Sequence, residues 1–273
     1  MATVEDVILS YSRRGMTLLR PYLPKDYCGD AADEILSWPK GGTVLLTTGF
    51  FVDGQPETDG PAGTVSLAHA LRRLGLVPVF VCEKFGLDYF SGFEVEVVSV
   101  EDGPDRYQAI LDKHEPVGIV AIERCGINEN DDYANMRGVS VAPLTSKVDY
   151  LFELSQGRIP SIGVGDGGNE IGMGSLLDAI HDELPICPCR TKVDRLVIAT
   201  VSNWGAYGIV ARLQEKTRKS LLPSFVDVRS YLRRTVALGS VDGVTKENIV
   251  GVDGFSLDEE AAVLRALEKV ASI

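Results

Sequence analysis

The chain has 273 residues, of which 45% are hydrophobic, so it can build one large α/β domain with its own core and is not of the disordered class. Asp and Glu total 39 against 27 Lys and Arg, and the net charge of −12 should repel phosphate backbones and anionic lipids, so we expect neither a nucleic-acid nor a membrane partner. There is no signal-peptide pattern, no apolar run near the ~20 residues of a membrane span, and no disulfide framework, so we expect a cytoplasmic protein.

The first 40 residues predict one or two helices packed on the rest of the chain, because apolar residues such as Val4, Val7 and Ile8 recur at roughly helical spacing. From residue 43 onward, short β-branched runs alternate with helical patterns. The predicted strands are 43–48, 77–82, 93–98, 117–122, 160–165 and 195–201, and the predicted helices are 61–74, 104–114, 144–156, 169–183, 204–219 and 257–271. Segment 184–194, which contains two prolines, predicts a loop.

Boundary signals support the first and last of these helices. Pro61 stands at a helix start and Gly75 just past its end, while Ser256 is a candidate N-cap followed by three acids at 258–260. The alternation predicts right-handed βαβ units and a mostly parallel sheet. We therefore expect a single α/β domain over residues 1–273, doubly wound, with helices on both faces of the sheet in a Rossmann-like three-layer sandwich.

The segments that leave four of the predicted strands are rich in oxygen-bearing side chains. Ligands of open parallel sheets bind beyond the carboxyl ends of the strands, so these side chains should converge on one rim. They are Glu57 and Asp59 after 43–48, Glu123 and Arg124 after 117–122, Asp166, Asn169 and Glu170 after 160–165, and Ser202 and Asn203 after 195–201. Each group alone is also typical of a structural role, namely acids that offset a helix dipole, an ion pair, or a helix N-cap.

The stretch GVGDGGNEIGMG at 163–174 contains a literal G-x-G-x-x-G pattern between a predicted strand and a predicted helix. A pyrophosphate at that helix start would be repelled by Asp166 and Glu170, and no acid ends a strand ~20 residues further on. The pattern therefore argues weakly for a dinucleotide, and we expect no nucleotide cofactor. Glycines at a tight turn explain part of the stretch but neither of its acids.

Oxygen ligands so close together suit a hard divalent cation, Mn²⁺ or Mg²⁺, with Ca²⁺ as an alternative. The chain has three histidines, none of them beside these loops, which argues against a histidine-rich zinc or iron site. Acids delivered by several strand ends would repel one another unless a cation or shared protons intervened. We therefore expect a divalent metal ion at this rim.

Four sequence blocks at the same rim carry a family resemblance. PETDGPAGTVSLAHALRRLG (56–75), AIERCGINENDDYANMRG (121–138), GVGDGGNEIGMG (163–174) and VSNWGAYGIVA (201–211) resemble the signature blocks of the D-glutamate cyclase family, specifically its C-terminal domain. The blocks follow the family order, and VDG at 252–254 resembles a weaker closing element. The resemblance implies a lyase that converts D-glutamate into 5-oxo-D-proline and water with the help of a divalent metal.

For that reaction we assign roles as expectations. Glu57, Asp59, Glu123, Asp166 and Asn169 are the expected metal ligands. Glu170 is the expected base, projecting from the first turn of a helix, and Asp166 is the second catalytic acid. The expected substrate-binding groups are Arg124 and Arg137 for the α-carboxylate, and the Gly167 and Gly168 amides with the Asn203 side chain for the oxyanion.

Two other functions fit the same acidic rim. One is a metal-dependent hydrolase of phosphoesters or lactams, since the rim could hold cations for that chemistry. The other is a non-enzymatic sensor that binds an amino acid or a metal ion and signals through residues 1–40. The expected partner is a small amino dicarboxylate, and a homodimer is left open.

Overall fold

The computed structural model of the chain describes residues 2–272, and helices and strands alternate through most of it. In chain order the elements are α1 (Val4–Ile8), α2 (Met16–Leu19), α3 (Tyr27–Ser37), β1 (Thr43–Thr48), β2 (Phe51–Val52), β3 (Gln55–Pro56), α4 (Pro61–Leu74), β4 (Val77–Cys82), α5 (Gly86–Tyr89), β5 (Glu94–Val97), α6 (Pro104–His114), β6 (Gly118–Ile122), α7 (Asp149–Ser155), β7 (Ser161–Gly165), α8 (Leu177–Glu183), β8 (Arg195–Ile198), α9 (Ser202–Thr217), α10 (Phe225–Ala237) and α11 (Leu257–Val270). Short 3₁₀ turns occur at Arg20–Tyr22 and Gly174–Leu176.

Six strands form one parallel sheet in the order β5-β4-β1-β6-β7-β8. Leu45 of β1 lies opposite Val79 of β4 on one side and Ile119 of β6 on the other. The chain winds outward from β1 in one direction and then, from β6, in the other, which is the doubly wound order. The predicted α/β class is confirmed, and the strand order places a crevice between the ends of β1 and β6.

Helices cover both faces of the sheet. On one face, α6 and α7 bury Tyr107, Ile110 and Phe152 against the strands. On the other face, α4 and α9 pack side by side, and α3 and α1 pack on α9. The close approach of α4 and α9 depends on Gly63, because a Cβ there would lie 2.8 Å from the Asn203 Cα. Among residues 2–272, no helix has the length and apolar character needed to cross a membrane.

The helix boundaries predicted from sequence agree best for two helices that begin with a proline. Helices α4 and α6 match their predictions residue for residue, and Ser256 forms a capping box with Glu259 at the start of α11. The helix predicted at 169–183 is wrong over its first half, since α8 begins at Leu177. Residues 172–173 instead pair with Lys192 of the following loop, and Gly172 has φ +109°, which a helix does not allow.

Residues 2–40 contain three helices, α1, α2 and α3, where one or two were predicted. Beyond residue 40 the pattern analysis missed four elements. These are the strands β2 and β3 of a short antiparallel hairpin, the single-turn helix α5, and the helix α10. Helix α10 has Ser224 as an N-cap that accepts from the Asp227 amide, a signal that the sequence does carry.

Candidate active site

Six carboxylate side chains lie buried together at the crevice. Each is at most 5% exposed: Glu57 and Asp59 after β1, Glu123 after β6, Asp166 and Glu170 after β7, and Asp253 from the loop before α11. Ligand oxygens of Asp59, Asp166 and Asp253 lie within 4.8 Å of one another, and so do those of Glu123, Asp166 and Glu170. Asp166 therefore belongs to two adjoining carboxylate triads.

Within residues 2–272, one arginine forms ion pairs with this cluster. Arg14, in the loop between α1 and α2, places Nη1 2.5 Å from Asp166 Oδ1, and its Nη2 bonds Asp253. Burial lowers the pKa of Arg14, but the surrounding carboxylates, Asp166 above all, outweigh it and raise that pKa well above its ordinary value. One permanent positive charge thus faces six acids.

The electrostatic state of the acids follows from their burial. Desolvation, reinforced by neighbouring carboxylates, raises the pKa values of Glu57, Glu123 and Asp166 well above their ordinary range. It also raises the pKa of Asp59 to about 8, against the opposing effect of three backbone N–H donors. Asp59 therefore holds its proton near neutral pH, and burial favours the protonated forms of Glu57, Glu123 and Asp166, unless another cation compensates their charge.

The structure tests whether these residues fit a metal ion. The buried atoms Glu57 Oε1 and Asp166 Oδ2 have no hydrogen-bond partner among the described residues. A buried carboxylate oxygen without a partner carries a large desolvation cost, which a cation would offset. The all-oxygen donor set suits Mg²⁺ or Mn²⁺, and the expected ligands Glu57, Asp59, Glu123 and Asp166 all belong to the cluster.

Asp59 also has a structural task. Its two carboxylate oxygens accept hydrogen bonds of 2.8 Å from the amides of Gly60, Ser202 and Asn203. The last two amides open α9, whose N-cap position, Val201, has no side-chain acceptor. The structural interpretation of Ser202 and Asn203 as helix N-caps is therefore wrong. Asp59 caps the helix from another part of the chain, which joins the β1 loop to α9.

Glu170 does not project from a helix as expected. It lies in the loop after β7 and folds back so that Oε1 accepts from the amides of Asp166 and Gly167 at 3.2 and 2.7 Å, and Oε2 from Gly168 at 2.8 Å. The amides of Gly167 and Gly168 therefore do not have the oxyanion-binding role expected of them, since they already donate to Glu170. A ligand oxygen of Glu170 lies within 4.8 Å of those of Glu123 and Asp166. Glu170, held by three amides beside these acids, is therefore better suited to ligation than to proton transfer.

Arg124 is a structural residue beneath the site. It is fully buried and donates to Glu83 through both terminal nitrogens, at 2.7 and 2.6 Å. It also donates to the Gly49 carbonyl and to the carbonyl and hydroxyl of Ser146. The expected role in binding a substrate carboxylate does not fit this geometry, because these donors are engaged and no exposed face remains.

The Asn203 side chain is fully buried and hydrogen-bonded through both its oxygen and its nitrogen. Its Oδ1 accepts from the Gly63 amide at 2.6 Å, and its Nδ2 donates to the Thr58 carbonyl at 3.2 Å. The side chain therefore connects the start of α9 to the start of α4. Because it is fully buried and does not line the cavity described below, it does not suit the expected role of oxyanion donor. Its neighbour Ser202 instead contacts the acid cluster, donating from Oγ to Glu123 Oε2 at 2.5 Å.

A cavity of about 360 Å³ opens onto the cluster, at the small end of the ~300–1,000 Å³ range of ligand pockets. Its polar lining includes Arg14, Glu57, Glu123, Asn169, Glu170 and Asp253 beside the cluster. Phe50, Phe51 and Val141 contribute apolar surface. Of the two arginines expected to bind substrate, Arg137 lines this cavity as an exposed residue. Asn169 is held in place by donating from Nδ2 to the Ala134 carbonyl at 3.0 Å.

Sequence reasoning missed Arg14 and Asp253 as site residues. Asp253 has φ +53° in a loop held by Asp242, whose carboxylate accepts from the amides of Val244, Thr245 and Gly254. The VDG motif at 252–254 contained that signal, since an acid before a glycine in a tight loop is typical of a positioned side chain. Arg14 follows no strand, and its place in the cluster depends on long-range packing.

The chain matches a family model and a protein of known name. A family model described as "D-glutamate cyclase-like, C-terminal" matches residues 4–268. The human protein "D-glutamate cyclase, mitochondrial" is 31% identical in an alignment 237 residues long, which covers 76% of this chain and 37% of that protein. The match therefore spans little more than a third of the relative's length.

Solved structures resemble the chain only distantly. An exopolyphosphatase-related protein from Bacteroides fragilis is 11% identical with a TM-score of 0.44, covering 92% of this chain and 58% of that chain. L-sorbose reductase from Gluconobacter frateurii is 12% identical with a TM-score of 0.30, covering 85% of this chain and 92% of that chain. Both scores lie below 0.5, so neither bears on function.

Proposed function

Because the chain belongs to the D-glutamate cyclase-like C-terminal family, we propose that it is a lyase that converts D-glutamate into 5-oxo-D-proline and water with a divalent metal ion. The observation that supports this most directly is the cluster of six buried carboxylates beside one cavity at the sheet's crevice. Such a cluster is costly to build without a bound cation, and the reaction needs both a cation and proton-carrying acids.

We assign the metal ion to the triad of Glu123, Asp166 and Glu170, with Asn169 beside it. Glu123, Glu170 and Asn169 line the cavity, and the buried Asp166 supplies an oxygen that lacks a partner. When bound, a divalent ion would polarise the substrate's γ-carboxylate and lower the cost of losing its oxygen. Glu170 thus becomes a ligand in this proposal and is no longer the base.

Glu57 is the proton carrier in this proposal. The reaction forms a bond between the α-nitrogen and the carbon of the side-chain (γ-)carboxylate, Cδ, and breaks one of the two Cδ–oxygen bonds. Two protons move from the ammonium group to the departing oxygen, which leaves as water. Glu57 lines the cavity, and burial together with Asp253 raises its pKa well above the ordinary value, nearer to that of the groups it serves. It can therefore accept each proton from nitrogen and return it to oxygen.

The cavity would bind glutamate in a curled shape. The apolar wall at Phe50 and Val141 faces the methylene groups, and Arg137 at the cavity edge is placed to pair with the α-carboxylate. Holding the amine over the γ-carboxyl carbon is worth up to ~7–11 kcal/mol in well-oriented systems. Arg137 remains the candidate for this contact because Arg124 is buried with Glu83.

The test is turnover by the purified chain. We expect D-glutamate with Mn²⁺ or Mg²⁺ to yield 5-oxo-D-proline, measured by chiral chromatography, with a slower reaction on L-glutamate as the internal comparison. Glu57→Gln should retain metal binding and lose turnover, because the amide cannot carry a proton. Absence of product under both metals, from folded protein, would overturn the proposed reaction.

Two further expectations belong to this proposal. Cell fractionation should place the protein in the cytoplasm, as its sequence predicts, and recovery in an organelle would contradict that. Light scattering of the purified chain distinguishes a monomer from the homodimer that the sequence left open.

A further inference from the structure

We propose that Arg14 occupies the second of two adjoining cation positions that share Asp166, and that it thereby limits the site to one divalent ion. The inference rests on the proposed metal site and goes beyond it. One position is the triad of Glu123, Asp166 and Glu170, which we assign to the metal. The other is the triad of Asp59, Asp166 and Asp253, whose ligand oxygens also lie within 4.8 Å of one another.

Arg14 fills the second position as a metal ion would. Its two terminal nitrogens contact Asp166 Oδ1 and Asp253, two members of that triad. A guanidinium between two carboxylates supplies positive charge where a bridging cation would supply it. In the first triad, Arg14 contacts only the shared Asp166. Among residues 2–272, Glu123 accepts from the Ser202 hydroxyl and Glu170 from backbone amides, and neither forms an ion pair.

The loop that carries Arg14 is held firmly against the site. The Arg13 guanidinium lies over the Phe255 ring at 4.3 Å, and the Tyr11 ring packs edge-on to Trp204. A Cβ at Gly15, which has φ +83°, would meet the Leu184 side chain at 2.4 Å. The position of Arg14 is therefore set by packing on both sides of it in the chain, as expected of a residue that positions Asp166.

A second observation indicates that one further cation is still needed. Asp166 is fully buried, and while its Oδ1 contacts Arg14, its Oδ2 has no partner among the described residues. Six carboxylates face one arginine, so a single divalent ion in the first triad brings the cluster closer to balance. Removing the arginine takes one positive charge out of the cluster and frees the Asp166 and Asp253 oxygens that it contacts. A second ion should then bind.

The experiment counts bound Mn²⁺ per chain by equilibrium dialysis with elemental analysis, and records the electron paramagnetic resonance spectrum. We expect one ion in the wild type and two in Arg14→Gln, with magnetic coupling between ions that share Asp166. The first ion should also bind about tenfold tighter or better, since a nearby positive charge is lost. Arg14→Lys, which keeps the charge, should bind one.

A matched double variant isolates the second position. Arg14→Gln combined with Asp253→Asn should return to one ion, because the second triad then lacks a carboxylate. If Arg14→Gln folds only with metal, purification in Mn²⁺ followed by the same count gives the same comparison.

The outcomes separate this inference from the proposed function. One ion in both the wild type and Arg14→Gln, at equal affinity, would overturn the role of Arg14 and leave the metal site standing. No ion in the wild type but one in Arg14→Gln would support Arg14 as the resident cation and remove the metal from the proposed reaction.

Discussion

Replacing Arg124 by methionine should lower the free energy of unfolding without directly removing a contact to the substrate. Arg124 is buried and holds Glu83 with two hydrogen bonds of 2.6 and 2.7 Å, and methionine keeps the stem while removing the charge. The substitution leaves the Glu83 carboxylate, only 12% exposed, without its partner. Leaving one member of a buried ion pair unpaired costs about 3–5 kcal/mol.

A double variant at positions 124 and 83 serves as the control for this loss of stability. Glu83 also accepts from the Ser146 amide at 2.7 Å, so a neutral residue at 83 can keep part of its hydrogen bonding. We therefore expect Arg124→Met with Glu83→Gln to be less destabilised than the sum of the single variants, with a coupling energy of about 0.5–3 kcal/mol.

The assay is reversible urea unfolding followed by circular dichroism, with D-glutamate affinity measured on the folded fraction. Arg124→Met should lower the unfolding midpoint strongly. An unchanged midpoint with lost D-glutamate binding would refute this reasoning and return Arg124 to the substrate site.

Three further variants probe separate features. Asp166→Asn should fold but no longer be stabilised by the metal ion. For the wild type, a Mn²⁺ concentration of 100 times the dissociation constant should add about 2.7 kcal/mol to the free energy of unfolding. A Mn²⁺-induced rise in melting temperature as large in the variant as in the wild type would contradict this. Hydrogen bonds from Lys113, His114 and Arg106 overcome burial and lower the pKa of Glu96 to about 2 from 4.5. The resulting stabilisation of the folded state is present above pH 4.5 and is lost as the pH falls toward 2. Glu96→Gln should therefore lower the free energy of unfolding by about 1–3 kcal/mol at pH 7 and leave it unchanged near pH 2, which urea unfolding at a series of pH values measures. Gly63→Ala should destabilise by about 1–3 kcal/mol in urea because its methyl group would press on α9, and a more stable variant would disprove that packing.

The sheet could be predicted from sequence because most of its strands are short, β-branched and largely apolar runs separated by helical patterns, although the edge strand β5 contains Glu94 and Glu96. All six predicted strands pair in the parallel sheet, and the rim where their ends meet contains Glu57, Asp59, Glu123 and Asp166. Period and punctuation are local properties of the chain, and so they are visible without a structure.

The division of labour among the polar residues could not be predicted in the same way. The carboxylates of Asp59 and Glu170 accept hydrogen bonds from backbone amides, and Arg124 pairs with Glu83, which lies 41 positions earlier. Arg14 reaches Asp166 across 152 positions. Such partners are decided by tertiary packing, and neither spacing nor residue type reveals them.

The most direct test of the metal site is anomalous scattering from a crystal soaked in Mn²⁺. We predict one peak within about 2.5 Å of carboxylate oxygens of Glu123, Asp166 and Glu170, with Arg14 still in contact with Asp166 and Asp253. A fully occupied peak elsewhere, or none at saturating Mn²⁺ in a crystal whose cavity is open, would contradict a divalent ion at this cluster.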